Sequence, residues 1–458
     1  MKRQFPVILG LAVILFAHAG YAHAAGLVFK FHMEQKTVTG TAAPVVSQAD
    51  YVVALFPQMV DVRADGIDRI YDVAQRQFYA ANLAQSKLTT YSLYAIPLGK
   101  NQDKRAALRA LFEQQKVANP ALTIADVKDV DVDMLYGSQN DTKTSDLIKT
   151  AEAEGKTSLS AQGHPLADFT LSDVSVPDAF KASYAHFFLY ETALHPVISR
   201  QISSAGKVFK SLHYITHGKG QTAEFTLTFT SSYATDLNGP TINNYKPTFT
   251  GNDLLDAAIT KTGDKPIPTA QQLDAKIAGF TQQKDPLRAA LAAKEMELTL
   301  GADAAQDSAA ARAALASDDA LTSSFVKDIS GPSHSTDDFV RDMQLFNQLD
   351  GKAADYAYLV ELFRANQIRA ILESRTNRSP DEDNAIRAAL EKLSGAIIAN
   401  PWLTEAYCDL GDAYFNALQP RIAWVLWDQA IRLNPKHPAL QHVDTLQTQA
   451  LKDFPEYF

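Results

Sequence analysis

The pattern of apolar and polar positions changes near residue 250, and each half of the chain has its own period. Before residue 250, runs such as KVFKSLHYIT (207–216) and TAEFTLTFTS (222–231) alternate apolar with polar residues. Alternation with a period of two is typical of β-strands that bury one face. The glycine-containing stretch HGKGQ (217–221) separates these two runs, so the sequence predicts a β-hairpin.

After residue 250 the chain is rich in alanine, and apolar residues recur at helical spacing. Asp285 followed by Pro286 matches a helix N-cap with proline in the first turn. Helical patterns cover 270–283, 286–300, 304–316, 336–349, 353–375 and 381–399. The predicted fold class is therefore α+β in two parts, an antiparallel β-rich N-terminal domain followed by an α-helical C-terminal region that ends in helical hairpins.

The first residues, MKRQFPVILGLAVILFAHAGYAHA, have the three parts of a secretory signal peptide. Lys2 and Arg3 precede an apolar core, and AHA (22–24) is a small-x-small cleavage site. We therefore expect cleavage after Ala24 and a periplasmic or secreted mature protein. No later apolar run reaches about 18 residues, so we expect no transmembrane helix in the mature chain.

Charge and cysteine content narrow the class of protein further. The net charge of −9 disfavours nucleic acid and anionic lipid as partners. Cys408 is the only cysteine, so the chain has neither an intrachain disulfide nor a cysteine at the cleavage point that could carry a lipid. The expected division is a signal peptide (1–24), a β-rich α+β domain (25–247), an alanine-rich helical region (248–335) and a helical domain (336–458).

Residue patterns for metal, cofactor or catalytic chemistry are weak. The run Asp129-Val130-Asp131-Val132-Asp133 lacks the glycine and glutamate of an EF-hand loop, which favours an acidic strand face over a loose calcium site. His213 and His217 would lie about 13 Å apart on a strand, too far to share one zinc ion. No nucleophile elbow, zinc-protease motif or cysteine pair occurs. The sequence therefore predicts no cofactor, no metal site and no catalytic residue.

The segment TEAYCDLGDAYFNALQPRIAWVLWDQAIRLNP (404–435) has large and small residues in a recurring arrangement. Its pattern consists of Tyr407, Leu410, Gly411, Tyr414, Ala423, Trp427, Ala430 and Pro435. This arrangement resembles the tetratricopeptide-repeat (TPR) family, whose unit is a helical hairpin of about 34 residues. The resemblance covers about residues 370–454. It implies that Gly411 and Ala423 let two helices approach closely while Trp427 fills the groove between them.

The resemblance also implies a binding face, since the first helices of such repeats line a peptide-binding groove. By the matched positions, the residues that would face the groove are Glu405, Cys408, Asp409, Asp412 and Asn416. An acidic groove free of packing contacts would select a basic or neutral segment of a partner. The alternative is a solvated charged face without a ligand. Cys408 is expected to be an inert buried thiol.

Two functional hypotheses follow from these observations. The first is an exported, non-enzymatic scaffold that binds a protein or peptide partner through the TPR-like residues Glu405, Asp409, Asp412 and Asn416, with an apolar ligand in the β-rich domain as a further expectation. The alternative is a periplasmic hydrolase with its site on the β-rich domain. A buried polar cluster around His186, Glu191 or His213 would favour the hydrolase.

Overall fold

The structure is a computed structural model, and it divides the chain into two compact units. Of the described residues, the β unit contains those from Gly26 to Thr248 together with Leu446–Phe458, and the helical unit contains those from Phe249 to Thr445. The structure describes residues 26–39, 42–100, 112, 116–117, 148–161, 164–192, 194–218, 221–235, 245–263, 266–328, 335–373 and 379–458. The expected signal peptide (1–24) and the acidic run (129–133) lie outside the described residues.

The β unit is built on one twelve-stranded sheet. Its spatial order is β12-β6-β5-β4-β3-β2-β1-β11-β10-β9-β8-β7, and every pair except β12–β6 is antiparallel. The strands are β1 (Gly26–Thr39), β2 (Val45–Phe56), β3 (Met59–Ala64), β4 (Ile67–Asp72), β5 (Gln77–Asn82), β6 (Lys87–Ser92), β7 (Ile148–Ala153), β8 (Lys156–Ala161), β9 (His164–Ser175), β10 (Lys207–Gly218), β11 (Gln221–Thr235) and β12 (Lys246–Thr248).

Short turns between neighbouring strands explain the antiparallel order. Asp65 and Gly66 have φ values of 54° and 73° between β3 and β4, in the left-handed region that a two-residue hairpin turn requires. The hairpin that the sequence predicted around 217–221 is confirmed, because β10 and β11 pair from Ser211↔Thr228 to Gly218↔Gln221.

Two helices of the β unit, α1 (Lys181–Glu191) and α2 (Pro196–Ser204), follow β9. Helix α1 packs aromatic side chains against the sheet: Phe187 stacks on Phe31 with ring centroids 5.8 Å apart, and Tyr190 stacks on Tyr71 at 4.6 Å. Aromatic pairs of this kind contribute more than their buried area alone. The sheet face beneath α1 is therefore occupied by the protein's own side chains.

The helical unit consists of consecutive helices, as the sequence period predicts. They are α3 (Asp253–Lys261), α4 (Ala270–Gln282), α5 (Pro286–Leu300), α6 (Ala302–Asp307), α7 (Ala309–Leu315), α8 (Ala320–Asp328), α9 (Thr336–Leu349), α10 (Ala357–Glu373), α11 (Pro380–Ala399), α12 (Thr404–Asn416), α13 (Pro420–Leu433) and, as far as Thr445, the start of α14 (Gln441–Asp453). The side chain of Asp285 accepts a hydrogen bond from the Arg288 amide and Pro286 opens α5, which confirms the predicted N-cap. The two-part α+β fold class is thus confirmed.

The division into units differs in two places from the regions that the sequence outlined. The alanine-rich region and the TPR-like helices belong to one helical unit, and residues 446–458 belong to the β unit. The physical reason for the second difference is aromatic packing. The Tyr190 hydroxyl donates a hydrogen bond to the Tyr457 carbonyl oxygen, and the rings of Tyr94 and Phe458 lie 4.9 Å apart.

Among the residues that the structure describes, no helix has both the length and the apolar character to cross a bilayer.

Candidate partner-binding face

The hairpin α12–α13 is held together by one close approach between its helices. A Cβ atom added to Gly411 would lie 2.5 Å from Nε1 of Trp427, closer than real side chains come. Trp427 itself is 1% exposed, and its Nε1 donates a hydrogen bond to Oδ1 of Asp412 at 3.0 Å. Only glycine at 411 leaves room for the indole ring, so the packing follows from the two residues that the sequence singled out.

Polar side chains connect α12 to the helices on either side of it. Asn366 Nδ2 of α10 donates to Asp409 Oδ2 at 2.6 Å, and Asn416 Nδ2 donates to Glu373 Oε2 at 3.4 Å. On the other side, His442 Nε2 of α14 lies 2.7 Å from Asp412 Oδ1. We call the set the polar face, and its members are Asn366, Arg369, Glu373, Glu405, Asp409, Asp412, Asn416 and His442.

Asp409 is the most enclosed carboxylate of the polar face. Burial raises its pKa to about 6, while the hydrogen bond from Asn366 and the charge of Arg369 act in the opposite direction. Arg369 also donates to the backbone carbonyl of Asp409 at 2.9 Å and forms an ion pair with Glu373 at 2.9 Å. The cation that faces Asp409 is thus already engaged within the protein.

The sequence-based expectation that these carboxylates are free of packing contacts is wrong for Asp409 and Asp412. Asp412 accepts hydrogen bonds from both Trp427 and His442, so it joins α13 and α14 to α12. The reason is that the spacing of three and four places these residues on one side of α12, where they meet side chains of the neighbouring helices. Their role in binding a partner stays a prediction.

Glu405 differs from the other members of the face. Within the described part of the chain it has no hydrogen-bond or ion-pair partner. Burial raises its pKa to about 7, and the negative charges of Asp409 and Glu297 add to that shift. Lys294 acts in the opposite direction, but its ammonium group pairs with Glu297 at 2.6 Å. Glu405 therefore lies in a negative environment without a cation of its own.

Glu297 of α5 is the second negative charge near Glu405. It lines an open cleft of about 380 Å³ between α5, α6 and α7, together with Ala305, Gln306, Arg312, Leu315 and Ala316. Glu297 thus both lines this cleft and acts electrostatically on Glu405.

Cys408 lies on the packed side of α12, with 1% of its surface exposed. Burial raises the pKa of its thiol, and the carboxylates of Asp409, Asp412 and Glu405 raise it further. A thiol that is both buried and held in its neutral form is a poor nucleophile.

Of the three residues around which a buried polar cluster would favour a hydrolase, Glu191 has such a cluster. Glu191 accepts hydrogen bonds from Arg69 Nε at 2.8 Å and from the Tyr71 hydroxyl at 2.6 Å. His186 stacks on Tyr190 instead, and burial lowers its pKa to about 4. Tyr190 in turn stacks on Tyr71, so the neighbours of His186 and Glu191 are connected through two aromatic rings and not by a direct hydrogen bond.

His213 has different neighbours from His186 and Glu191. It pairs with Asp168 of β9 at 3.3 Å. Burial raises the pKa of Tyr214, the next residue on the strand, and the negative charge of Glu191 adds to that shift, so the two groups interact. Since successive strand residues point to opposite faces, His213 points away from that group. These residues therefore do not supply a nucleophile and a base in contact.

Sequence reasoning missed the residues that neighbouring helices contribute, Asn366, Arg369, Glu373, Glu297 and His442. A signal for two of them exists in the spacing. Asn366 and Glu373 lie 43 residues before their partners Asp409 and Asn416. A search at the 34-residue repeat length does not align these pairs, because α10 and α11 have 17 and 20 residues whereas α12 and α13 have 13 and 14.

Comparisons with known proteins do not assign this chain to a family. No protein-family model matches the chain, and no curated protein matches it. Among solved structures, a lipovitellin structure described for its lipid–protein interactions aligns with 94% of this chain and 55% of its own, at 8% identity and a TM-score of 0.20. The chain thus spans about half the length of that structure. Similarity at this level carries no argument about fold or function.

Proposed function

We propose that the protein is an exported, non-enzymatic interaction protein whose TPR-like helices bind a basic segment of a partner protein along the polar face. The observation that carries the proposal is Glu405, a carboxylate without a counter-ion at the start of a row that continues through Asp409 and Asp412. A ligand cation placed beside Glu405 would supply the partner that the chain lacks.

The charges of the polar face favour a cationic ligand. Asp409, Asp412 and Glu373 have Arg369 and His442 as neighbouring cations, and both cations are engaged in hydrogen bonds. Among the described residues, Lys294 is the one cation that acts on both Glu405 and Glu297. A negative surface with part of its charge uncompensated attracts basic groups and repels acidic ones.

The pKa of Glu405 gives the proposal a pH signature. A nearby ligand cation stabilises the ionised carboxylate, so binding lowers the Glu405 pKa from about 7. A proton is therefore released on binding, and the affinity for a cationic ligand should rise between about pH 5.5 and pH 8. Neutral segments would not show this dependence.

The test uses synthetic peptides in which lysine and arginine alternate with small residues, and matched peptides with glutamate in their place. Fluorescence anisotropy with the mature protein should show binding of the basic peptides only, with an affinity that falls as salt is raised. Glu405→Gln should weaken that binding roughly fivefold or more, as expected when one partly buried charge contact is lost. The matched control is Asp318→Asn, an exposed carboxylate of the helical unit outside the polar face.

Equal affinity for basic and acidic peptides would contradict the proposal, and so would equal losses in Glu405→Gln and Asp318→Asn. Glu405 is the better test residue than Asp409 or Asp412, because those two also connect helices and their replacement would affect stability.

Export is the second component of the proposal, and it is supported by the sequence pattern of residues 1–24. N-terminal sequencing of the protein recovered from an envelope fraction should begin at Ala25. Recovery of the chain with Met1 intact would remove export from the proposal and leave the binding experiment unaffected.

A further inference from the structure

The segment that follows α14 is seated against α1 in the β unit. Tyr457 is 1% exposed, and its carbonyl oxygen accepts a hydrogen bond from the Tyr190 hydroxyl. Lys100 Nζ donates to the Tyr457 hydroxyl at 3.2 Å and lies 5.4 Å from the centroid of its ring. Lys100 also donates to the Leu189 carbonyl oxygen of α1 at 2.7 Å, so one ammonium group joins the segment to the helix.

We call the contact between this segment and α1 the seat. The seat contains buried polar atoms that have no hydrogen-bond partner among the described residues. Nδ1 of His186 is buried and has no hydrogen-bond partner among the described residues, and the same holds for both carboxylate oxygens of Glu456. The other side of the His186 ring interacts with the Glu456 backbone, so the two residues are neighbours across the seat. Leaving such groups unpaired costs free energy that water would recover if the segment detached.

We infer that Phe454–Phe458 is a releasable latch, which docks on α1 at neutral pH and detaches in mild acid to uncover the aromatic surface formed by Tyr94, His186 and Tyr190. The inference concerns the β unit and does not depend on the proposed partner binding.

Protonation of His186 supplies the acid response. Burial lowers its pKa from 6.5 to about 4, and the hydrogen bond with the Glu456 backbone offsets only part of that shift. A released His186 would bind a proton below about pH 6.5, whereas a docked one stays neutral until about pH 4. Docking is therefore strongest above pH 6.5 and weakens as the pH falls through that window.

Other titratable groups around the seat modify this response. Burial raises the pKa of Glu456, so its protonation in acid favours the docked form and opposes His186; Arg200 of α2 counteracts that shift. Burial also lowers the pKa of Lys100 to about 8, which affects docking only in the alkaline range. Tyr190 and Tyr457 stay neutral throughout, and Arg69 and Glu191 beneath Tyr71 neutralise each other. His186 is thus the group that acts between about pH 5 and pH 7.

The size of the effect follows from the two pKa values. A shift of one pKa unit corresponds to a factor of ten in an equilibrium constant, so the docking equilibrium should weaken roughly tenfold or more between pH 7.5 and pH 5. Glu456→Gln should enlarge this change, because it removes the opposing titration.

Hydrogen exchange of the full mature chain tests the latch, with protection factors calculated against an unfolded reference at each pH. Peptides covering residues 446–458 should lose protection roughly tenfold or more between pH 7.5 and pH 5. Peptides from β3 and β4 should keep theirs. His186→Phe retains the stack on Tyr190 but cannot titrate, so its segment should lose no protection at pH 5, and the remaining titration of Glu456 should if anything raise it. Tyr457→Ala should leave the segment unprotected at both.

Three results would overturn the inference. The first is equal protection of the segment at pH 7.5 and pH 5 in the unmodified chain. The second is an equal loss in the unmodified chain and in His186→Phe, which would assign the response to another group. The third is an acid loss that extends equally to β3 and β4, which would be unfolding of the β unit. The first and third are read on the unmodified chain, so the test stands even if a variant fails to fold.

Discussion

The helical unit and the β unit treat a histidine in opposite ways. His442 lies beside Asp412 on the half-exposed polar face, and the hydrogen bond to that carboxylate raises its pKa. His186 lies under aromatic rings in the β unit, and burial lowers its pKa to about 4. The difference lies in the neighbours of each ring: His442 has a carboxylate beside it near solvent, whereas His186 is enclosed with one ring nitrogen unpaired among the described residues. An enclosed histidine with a lowered pKa suits a response to pH.

The largest effect should come from the aromatic side chain beneath the polar face. Trp427→Ala removes a fully buried indole and the donor to Asp412, and should lower the free energy of unfolding by roughly 3–5 kcal/mol. Chemical denaturation followed by circular dichroism measures the loss. Trp402→Ala, at a partly exposed tryptophan of the same unit, is the control. A loss under about 1 kcal/mol for Trp427→Ala would mean that the polar face does not depend on this hairpin.

The next largest effect is expected for the buried ion pair of the β unit, Arg69 and Glu191. Arg69 is 20% and Glu191 6% exposed at the side chain, so Arg69→Ala leaves a carboxylate enclosed without its cation. The expected loss is about 2–4 kcal/mol, somewhat less than for a completely buried pair. Lys181→Ala removes the half-exposed cation from its pair with the exposed Asp178 and should change stability much less, because solvent screens that pair. Similar losses in the two variants would remove the contrast between enclosed and exposed charge.

A smaller effect is expected from a single methyl group between α12 and α13. Gly411→Ala places Cβ against the Trp427 indole and should cost about 1–3 kcal/mol through overpacking. Gly395→Ala is the matched control, because nothing lies within 4 Å of its added Cβ on α11. That change should be neutral or stabilise by up to about 1 kcal/mol, since alanine favours the helix. Thermal unfolding of both variants measures the difference, and a stable Gly411→Ala would contradict the close approach.

The smallest effect compares the two histidines directly. Because the folded-state pKa of His442 is raised, the stability it contributes is present below about pH 6.5 and is lost as the pH rises through the folded value. His442→Gln should therefore cost about 0.5–1 kcal/mol near pH 5.5 and less near pH 8.5, a modest amount for a half-exposed pair. His186→Phe should instead gain stability in acid. The free energy of unfolding of both variants is measured at both pH values. If both variants lost stability in acid, or both gained it, the contrast between the two histidines would be contradicted.

Local pattern was sufficient for the fold class and for one hairpin of the candidate site. The period-two runs became β10 and β11, and Asp285-Pro286 began α5, because these features depend on residues close together in the chain. Gly411 and Trp427 were recognisable for the same reason, since their contact joins two helices linked by a short turn. The four polar residues of α12 were identified from sequence, but their partners were not.

The tertiary structure decided which groups those residues meet and which of them lacks a partner. Asn366 and Glu373 reach Asp409 and Asn416 across 43 residues because the preceding helices are longer than those of the matched hairpin. Glu405 lacks a cation because Lys294 pairs with Glu297. Tyr457 reaches Tyr190 across 267 residues and so places the end of the described chain in the β unit. A sequence specifies periodicity locally, whereas burial and pairing of charges depend on helix lengths and chain returns that only the packed structure defines.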